Sequence, residues 1–352
     1  MTKHKYVGMD VHSATTTVGI QNESGKTVAK STIETKSEVI KDFLRGLSGT
    51  VHVTFEEGIH AGWLYEIIKP LVAEVVVCNP RHNKLIQSGN KSDENDAQKL
   101  AELLRLGSLR PVYHGDCGAR SLREAVRAYN SLTADNLRVM NRIKAMFRGR
   151  GIDCNGTEVY RRVHREQWLE RLGDSAATTR LKLLYQELDG VGELHEAARR
   201  EMVAQVKSHP AYKVLKQIKT LGPVRIAEIV GVVRSPFRFR TKRQFWPYCG
   251  LAVQTASSAD FEIVNNRVRR KAKRPATRGL NRNYNRELKN VFKGAALLGT
   301  VTEPFKQYYE GLIARGMKPE MARLTLARKI AAITLVLWKK GERFDASKVI
   351  QG

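Results

Sequence analysis

KYVGMDVHSATTTVGIQNESGKTVAKSTI, residues 5–33, holds three short β-prone runs, KYVGMDV, TTTVGIQ and TVAKSTI. Turn chemistry separates them, most plainly at NESGK, so the chain is expected to open with three consecutive antiparallel strands. KSEVIKDFLRGL follows with helical spacing, VHVTFE reads as a short apolar strand, AGWLYEIIKPL as a helix and EVVVCN as another strand. From SDENDAQKLAELLRLG onward the period is helical again, with Ala97, Leu100, Ala101 and Leu104 on one face and Gly107 as a stop signal.

Three strands followed by alternating helix and strand is the ribonuclease-H-like (RuvC-like) order, an α/β arrangement in which the first strand lies centrally. Sugar kinases and actin-type ATPases share the order, so it does not by itself define a function. Two further units are expected beyond this domain at 1–115. Residues 119–150 and 176–208 are long, charged and free of proline, interrupted by GIDCNGTEVYRR, which predicts a helical, coiled-coil-like connector over 116–208. From His209-Pro210 to residue 352 a mainly helical C-terminal domain is expected. Its segment LKQIKTLGPVRIAEIVGVV has the pattern of a helix-hairpin-helix, whose turn amides suit a phosphate, although such a hairpin is also ordinary scaffold.

The chain has 352 residues and a formal net charge of +26, from 61 Lys and Arg against 35 Asp and Glu. That balance favours a polyanionic partner, DNA or RNA before a membrane surface. No run reaches the 18 or so apolar residues of a membrane-spanning helix, and MTKHKYVGMD lacks the apolar core of a signal peptide, so a cytoplasmic protein is expected. Four cysteines without a CxxC pair argue against a zinc site or a disulfide framework. Between Arg234 and Lys289 lie 15 Lys or Arg and 3 Asp or Glu, interleaved with Trp246, Tyr248, Asn281, Asn283 and Tyr284, a mixture suited to phosphate and base contacts.

Against this basic background four acids stand out: Asp10 in the first strand, Glu56 at the end of the fourth, and Asp93 with Asp96 at the start of the following helix. An i,i+3 pair shares one helical face, and carboxylate oxygens with incomplete shells suit Mg²⁺, which keeps positions for water and substrate phosphate. Asp93 also has the features of a helix N-cap. Glu57 is the neighbouring alternative to Glu56, but strand alternation sends the two to opposite faces, so only one can serve.

YVGMDVHSATTTVGI, FEEGIHAGWLYEIIK and NKSDENDAQKLAELLRLGSLRPV resemble the N-terminal half of the DEDD-type insertion-sequence transposases, the family numbered one hundred and ten with its eleven-eleven subgroup. IKTLGPVRIAEIVGVVRSPFRFRTKRQFWPYCGLAVQTASSADF resembles that family's second conserved region. The resemblance implies that Asp10, Glu56, Asp93 and Asp96 form a catalytic, metal-binding tetrad. It implies Ser258 as nucleophile, with Ser257 as the alternative, since SSADFEI stands where the family has serine followed by glycine. It further implies DNA cutting and rejoining by a homo-oligomer through a covalent 5′-phosphoserine link, guided by a noncoding bridge RNA. Two other readings use the same residues differently: a RuvC-like, metal-dependent structure-selective nuclease needs the acids but no serine, and a nucleic-acid-binding protein on the same scaffold needs neither. A sugar-kinase-like phosphotransferase fits less well, because no glycine-rich phosphate loop follows Asp10.

Overall fold

The computed structural model describes residues 3–80, 92–115, 120–256, 261–264, 267–270 and 276–350. The chain divides into two compact units, Met1–Asp116 and Cys117–Gly352.

In the first unit the strands β1 (His4–Val11), β2 (Thr15–Asn22) and β3 (Thr27–Glu34) form the expected meander. Helix α1 (Ser37–Arg45), β4 (Thr50–Glu56), α2 (Ala61–Ile68), β5 (Glu74–Cys78) and α3 (Asp93–Arg105) follow. The described strands make one mixed sheet in the order β3-β2-β1-β4-β5, antiparallel across β1, β2 and β3 and parallel across β1, β4 and β5. A parallel pair needs a crossover helix, and α1 and α2 supply the two that are required.

Strand alternation divides the unit into two layers. Val7, Met9, Val18, Ile20, Val53, Phe55 and Val77 point to one face, where Ile40, Leu44, Leu64 and Ile68 of α1 and α2 close an apolar core. The other face is unusual at its centre, because Gly8 of β1 pairs with Gly19 of β2. A Cβ on Gly8 would stand 2.5 Å from Ala101 N and closer still to Ala97 O, and one on Gly19 would stand 2.9 Å from Gln98 N. The two glycines therefore let the backbone of α3 lie directly on the strands, with Ala97 and Ala101 themselves fully buried. This seat fixes where the N-terminus of α3 falls. Residues Pro111 and Val112 continue along the outer edge of β5, bridging Cys78 and donating from Val112 N to Val77 O at 2.7 Å.

The second unit begins with α4 (Arg120–Arg148), passes through 3-10 turns at Glu158–Tyr160 and Arg162–His164 and the short α5 (Arg165–Glu170), and returns along α6 (Ser175–Ser208). Ser121 bonds Gln205, Thr133 bonds His195, and Arg142 pairs with Glu187, so the two long helices run antiparallel. Their two ends belong to different cores. Val139, Ile143, Phe147, Leu181 and Tyr185 close one end around Trp168 and Val159. Leu122, Val126, Met202 and Val206 at the other end are built into the core of the remaining helices. Those are α7 (Pro210–Leu215), α8 (Pro223–Val233), α9 (Lys242–Tyr248), α10 (Arg286–Gly299), α11 (Phe305–Ala314), α12 (Pro319–Lys340) and α13 (Ser347–Ile350).

The basic stretch carries strands that the sequence reading did not anticipate. β6 (Val253–Ala256) pairs antiparallel with β9 (Ala276–Leu280), and β7 (Phe261–Val264) with β8 (Arg267–Arg270). Val268 between Arg267 and Arg269 fits the period of a strand, whereas composition alone presents the run only as charge. The unit remains mainly helical. Among the described residues no helix is long and apolar enough to cross a membrane.

Candidate metal centre

Parallel pairing of β1 with β4 aligns Gly8 with Thr54 and Met9 with Phe55, so Asp10 and Glu56 come next, side by side at the C-terminal ends of adjacent strands. Period two places both on the α3 face, two positions beyond Gly8 and Thr54. Thr54 is fully buried there, its hydroxyl donating to Val76 O at 2.7 Å.

The N-terminus of α3 arrives at the same end. Ser92, not Asp93, is the N-cap: it has extended backbone, and its hydroxyl accepts from Asn95 N at 3.2 Å. Asp93 is thereby the first helical residue, released from capping, and Asp96 follows in the same turn. With Glu94 between them, three acidic side chains in the first turn also complement the helix dipole.

Residues two apart in a strand share a face, and the chain uses this for a group that sequence reasoning missed. His12 lies two residues after Asp10. Its Nε2 stands 3.4 Å from Asp10 Oδ2 and 3.7 Å from Asp93 Oδ2. One donor atom from each of Asp10, His12 and Asp93 lies within 4.8 Å of the other two. Glu56 and Asp96 lie outside that triad. The His12 backbone is held on both sides, its N–H donating to Thr15 O at 2.9 Å and its carbonyl accepting from Thr35 Oγ1 at 2.8 Å. The spacing Asp10-Val11-His12 was the available signal, since the alternation that excludes Glu57 from the face of Glu56 places His12 beside Asp10.

The electrostatics of the cluster are strained by like charge. Burial pushes the Asp10 carboxyl above its ordinary range; His12 opposes the shift, while Asp93 and Asp96 add to it. Asp96 is partly buried, and among the described residues its Oδ1 has no hydrogen-bond partner, Lys99 Nζ standing 3.9 Å away. A buried carboxylate oxygen left without a donor is costly. That orphan oxygen, together with the crowded acids around Asp10, fits a divalent cation, and the donor atoms that come together to hold one are those of Asp10, His12 and Asp93.

Glu57 is committed elsewhere. Its carboxylate contacts His114 Nε2 at 2.5 Å, and the His114 ring packs on Tyr65 with centroids 5.2 Å apart. Ser257 and Ser258 lie outside the described residues.

Architecture and site together set the class: a mixed α/β unit with acids gathered at the end of its central strand, in a chain of strong positive charge. Comparison with known proteins narrows this. A family model for the DEDD transposases of IS110 type matches residues 7–150, and the model described as transposase IS116/IS110/IS902 family matches residues 212–280. The chain belongs to the IS110/IS1111 family of insertion-sequence transposases. It is similar to the transposase for insertion sequence element IS1533 of Leptospira borgpetersenii, 28% identical over 184 residues, which is 49% of this chain and 51% of that protein. It is also similar to the transposase for insertion sequence element IS1111A of Coxiella burnetii (strain RSA 493 / Nine Mile phase I), 23% identical over 193 residues, 53% of this chain and 52% of that protein. The chain thus spans about half the length of the curated relatives it matches.

Proposed function

We propose that this chain is a DNA recombinase that cuts and rejoins the ends of a mobile insertion element. The observation that carries the reading is the approach of Asp10 and Asp93, with Asp96 in the same helical turn and Glu56 on the neighbouring strand, in a protein whose net charge is +26. The strand order β3-β2-β1-β4-β5 supports a ribonuclease-H-like, RuvC-type catalytic domain at 1–115, and in this reading a helical connector at 116–208 and a transposase domain at 209–352 follow it.

In this reading Asp10, Glu56, Asp93 and Asp96 hold Mg²⁺, which when bound neutralises phosphate charge and lowers the pKa of an attacking hydroxyl. The carboxylates set its position at the strand ends. Ser258, with Ser257 as the alternative, supplies the nucleophile: its oxygen bonds to phosphorus, the 3′ oxygen leaves with a proton, and the 5′-phosphoserine link conserves the bond for rejoining. Attack on that link by the 3′ hydroxyl of another strand then regenerates the serine. A noncoding bridge RNA specifies the strands by base pairing, and strand exchange takes place between copies of the chain in a homo-oligomer acting in the cytosol.

The test uses purified protein, supercoiled element DNA and Mg²⁺. Asp10→Asn abolishes cleavage, while removal of both Ser257 and Ser258 abolishes joining and the covalent adduct. Cleavage that survives loss of both serines leaves the structure-selective nuclease as the better reading. A discrete RNA copurifying with the protein supports guidance, and full activity after ribonuclease treatment removes it.

A further inference from the structure

Two acids, Asp10 and Asp93, and one imidazole meet at the end of β1, and the proposed tetrad accounts only for the acids. His12 is not a bystander in the fold: its backbone is tied to Thr15 and Thr35, and Thr35 Oγ1 also lies 2.9 Å from Thr16 Oγ1, a residue with no exposed surface. The anchor fixes the backbone from which the ring approaches the Asp10 and Asp93 carboxylates. Yet the ring makes no tight ion pair, since its 3.4 Å and 3.7 Å approaches to Asp10 and Asp93 exceed the roughly 2.8 Å of a charge-assisted hydrogen bond. Ligands of an octahedral cation at about 2.1 Å stand about 3 Å apart when adjacent and about 4.2 Å apart when opposite. All three donor atoms lie within 4.8 Å of one another, a gap that a single cation can bridge.

We propose that His12 Nε2 is a further protein ligand of the metal centre, adding beside Asp10 and Asp93 a nitrogen donor to the carboxylate set and so tilting the site toward Mn²⁺ over Mg²⁺. The inference rests on reading the acids as a metal centre and adds the donor that decides which metal they favour. Mg²⁺ is held best by oxygen and dehydrates reluctantly, whereas an imidazole nitrogen is a softer donor that rewards the later divalent metals. His12 and Asp93 keep about half or more of their side-chain surface exposed, 53% and 62%, so the remaining positions face solvent and are open to a phosphate oxygen. Mg²⁺ can still fill the site when it is abundant, held through the carboxylates.

The experiment is Mn²⁺ binding to the full-length protein without nucleic acid, read by electron paramagnetic resonance with electron spin-echo detection of nitrogen coupling. Mg²⁺ competition is run alongside, on wild type, His12→Ala, His12→Gln and Asp10→Asn. Wild type is expected to show coupling from one directly bound imidazole nitrogen that both His12 variants lose. Mn²⁺ affinity is expected to fall about tenfold or more in His12→Ala, while Mg²⁺ affinity changes less than about threefold. Unchanged thermal unfolding of the metal-free His12 variants, expected for a half-exposed side chain, assigns these losses to the ligand. Mn²⁺ bound without nitrogen coupling, or with affinity unaltered in His12→Ala, overturns the role of His12 and leaves the carboxylate centre standing. Absence of Mn²⁺ and Mg²⁺ binding by wild type overturns both.

Discussion

Asp10 carries two opposed demands, because its half-buried carboxyl faces Asp93 and Asp96, yet the proposed metal-holding role needs it ionised. Its folded pKa lies above the ordinary value, so its contribution to stability is present in acid and is lost as pH rises from its ordinary 3.8 through the raised folded value. Replacing it with Asn should therefore raise the melting temperature of the metal-free protein near neutrality by about 1–3 °C and abolish further stabilisation by divalent cation. Differential scanning fluorimetry with and without cation checks both signs. If the proposed centre acts in cleavage, the same substitution should cost strand cleavage about a thousandfold or more, the size expected for a metal site that stabilises transition-state charge by several kcal/mol. Single-turnover cleavage on element DNA reads that loss.

At the scale of elements, the seat of α3 on Gly8 and Gly19 decides whether the acids meet at all. Gly8→Val should force the helix off the sheet, because the added carbons run into backbone atoms of Ala97 and Ala101 rather than into flexible side chains. A destabilisation of about 3 kcal/mol or more is expected, with faster amide exchange across α3 than across β1 and β4. In the second unit, Glu228 on α8 is pushed up to about 7, first by burial and then by Glu287 of α10, with Arg225 opposing. A raised carboxyl favours the folded state below its ordinary 4.5 and loses that advantage as pH climbs through about 7. Glu228→Gln should therefore stabilise the protein at pH 8, by an amount on the order of 2 kcal/mol, and change little at pH 5. Urea unfolding at the two pH values tests the sign.

Across the whole molecule, the excess of positive charge predicts nucleic-acid affinity that falls steeply with salt. Each neutralised phosphate of duplex DNA adds about 0.9 to the slope of log affinity against log salt. Arg267 and Arg269 of β8 are exposed, and replacing both with Ala should lower that slope by about 2 while weakening unrelated DNA sequences alike. Fluorescence anisotropy over a salt series gives the slope directly, and an unchanged slope places the phosphate contacts elsewhere.

Local pattern was enough for much of this molecule. Period-two runs before Asn22-Glu23-Ser24-Gly25 and after it encode the opening meander, and helical spacing of Ala97, Leu100, Ala101 and Leu104 encodes α3, because hydrophobic periodicity is a property of consecutive residues. The acids were legible for the same reason, as unusual residues on predicted elements. Strand pairing is not local. Only the tertiary structure seats α3 on the glycine pair, caps it with Ser92, commits Glu57 to His114, and folds the basic run into β8 and β9. It alone brings His12 to Asp93, 81 positions along the chain, since a contact at that separation depends on which strands pair and which helix crosses them, and no spacing within one segment records either.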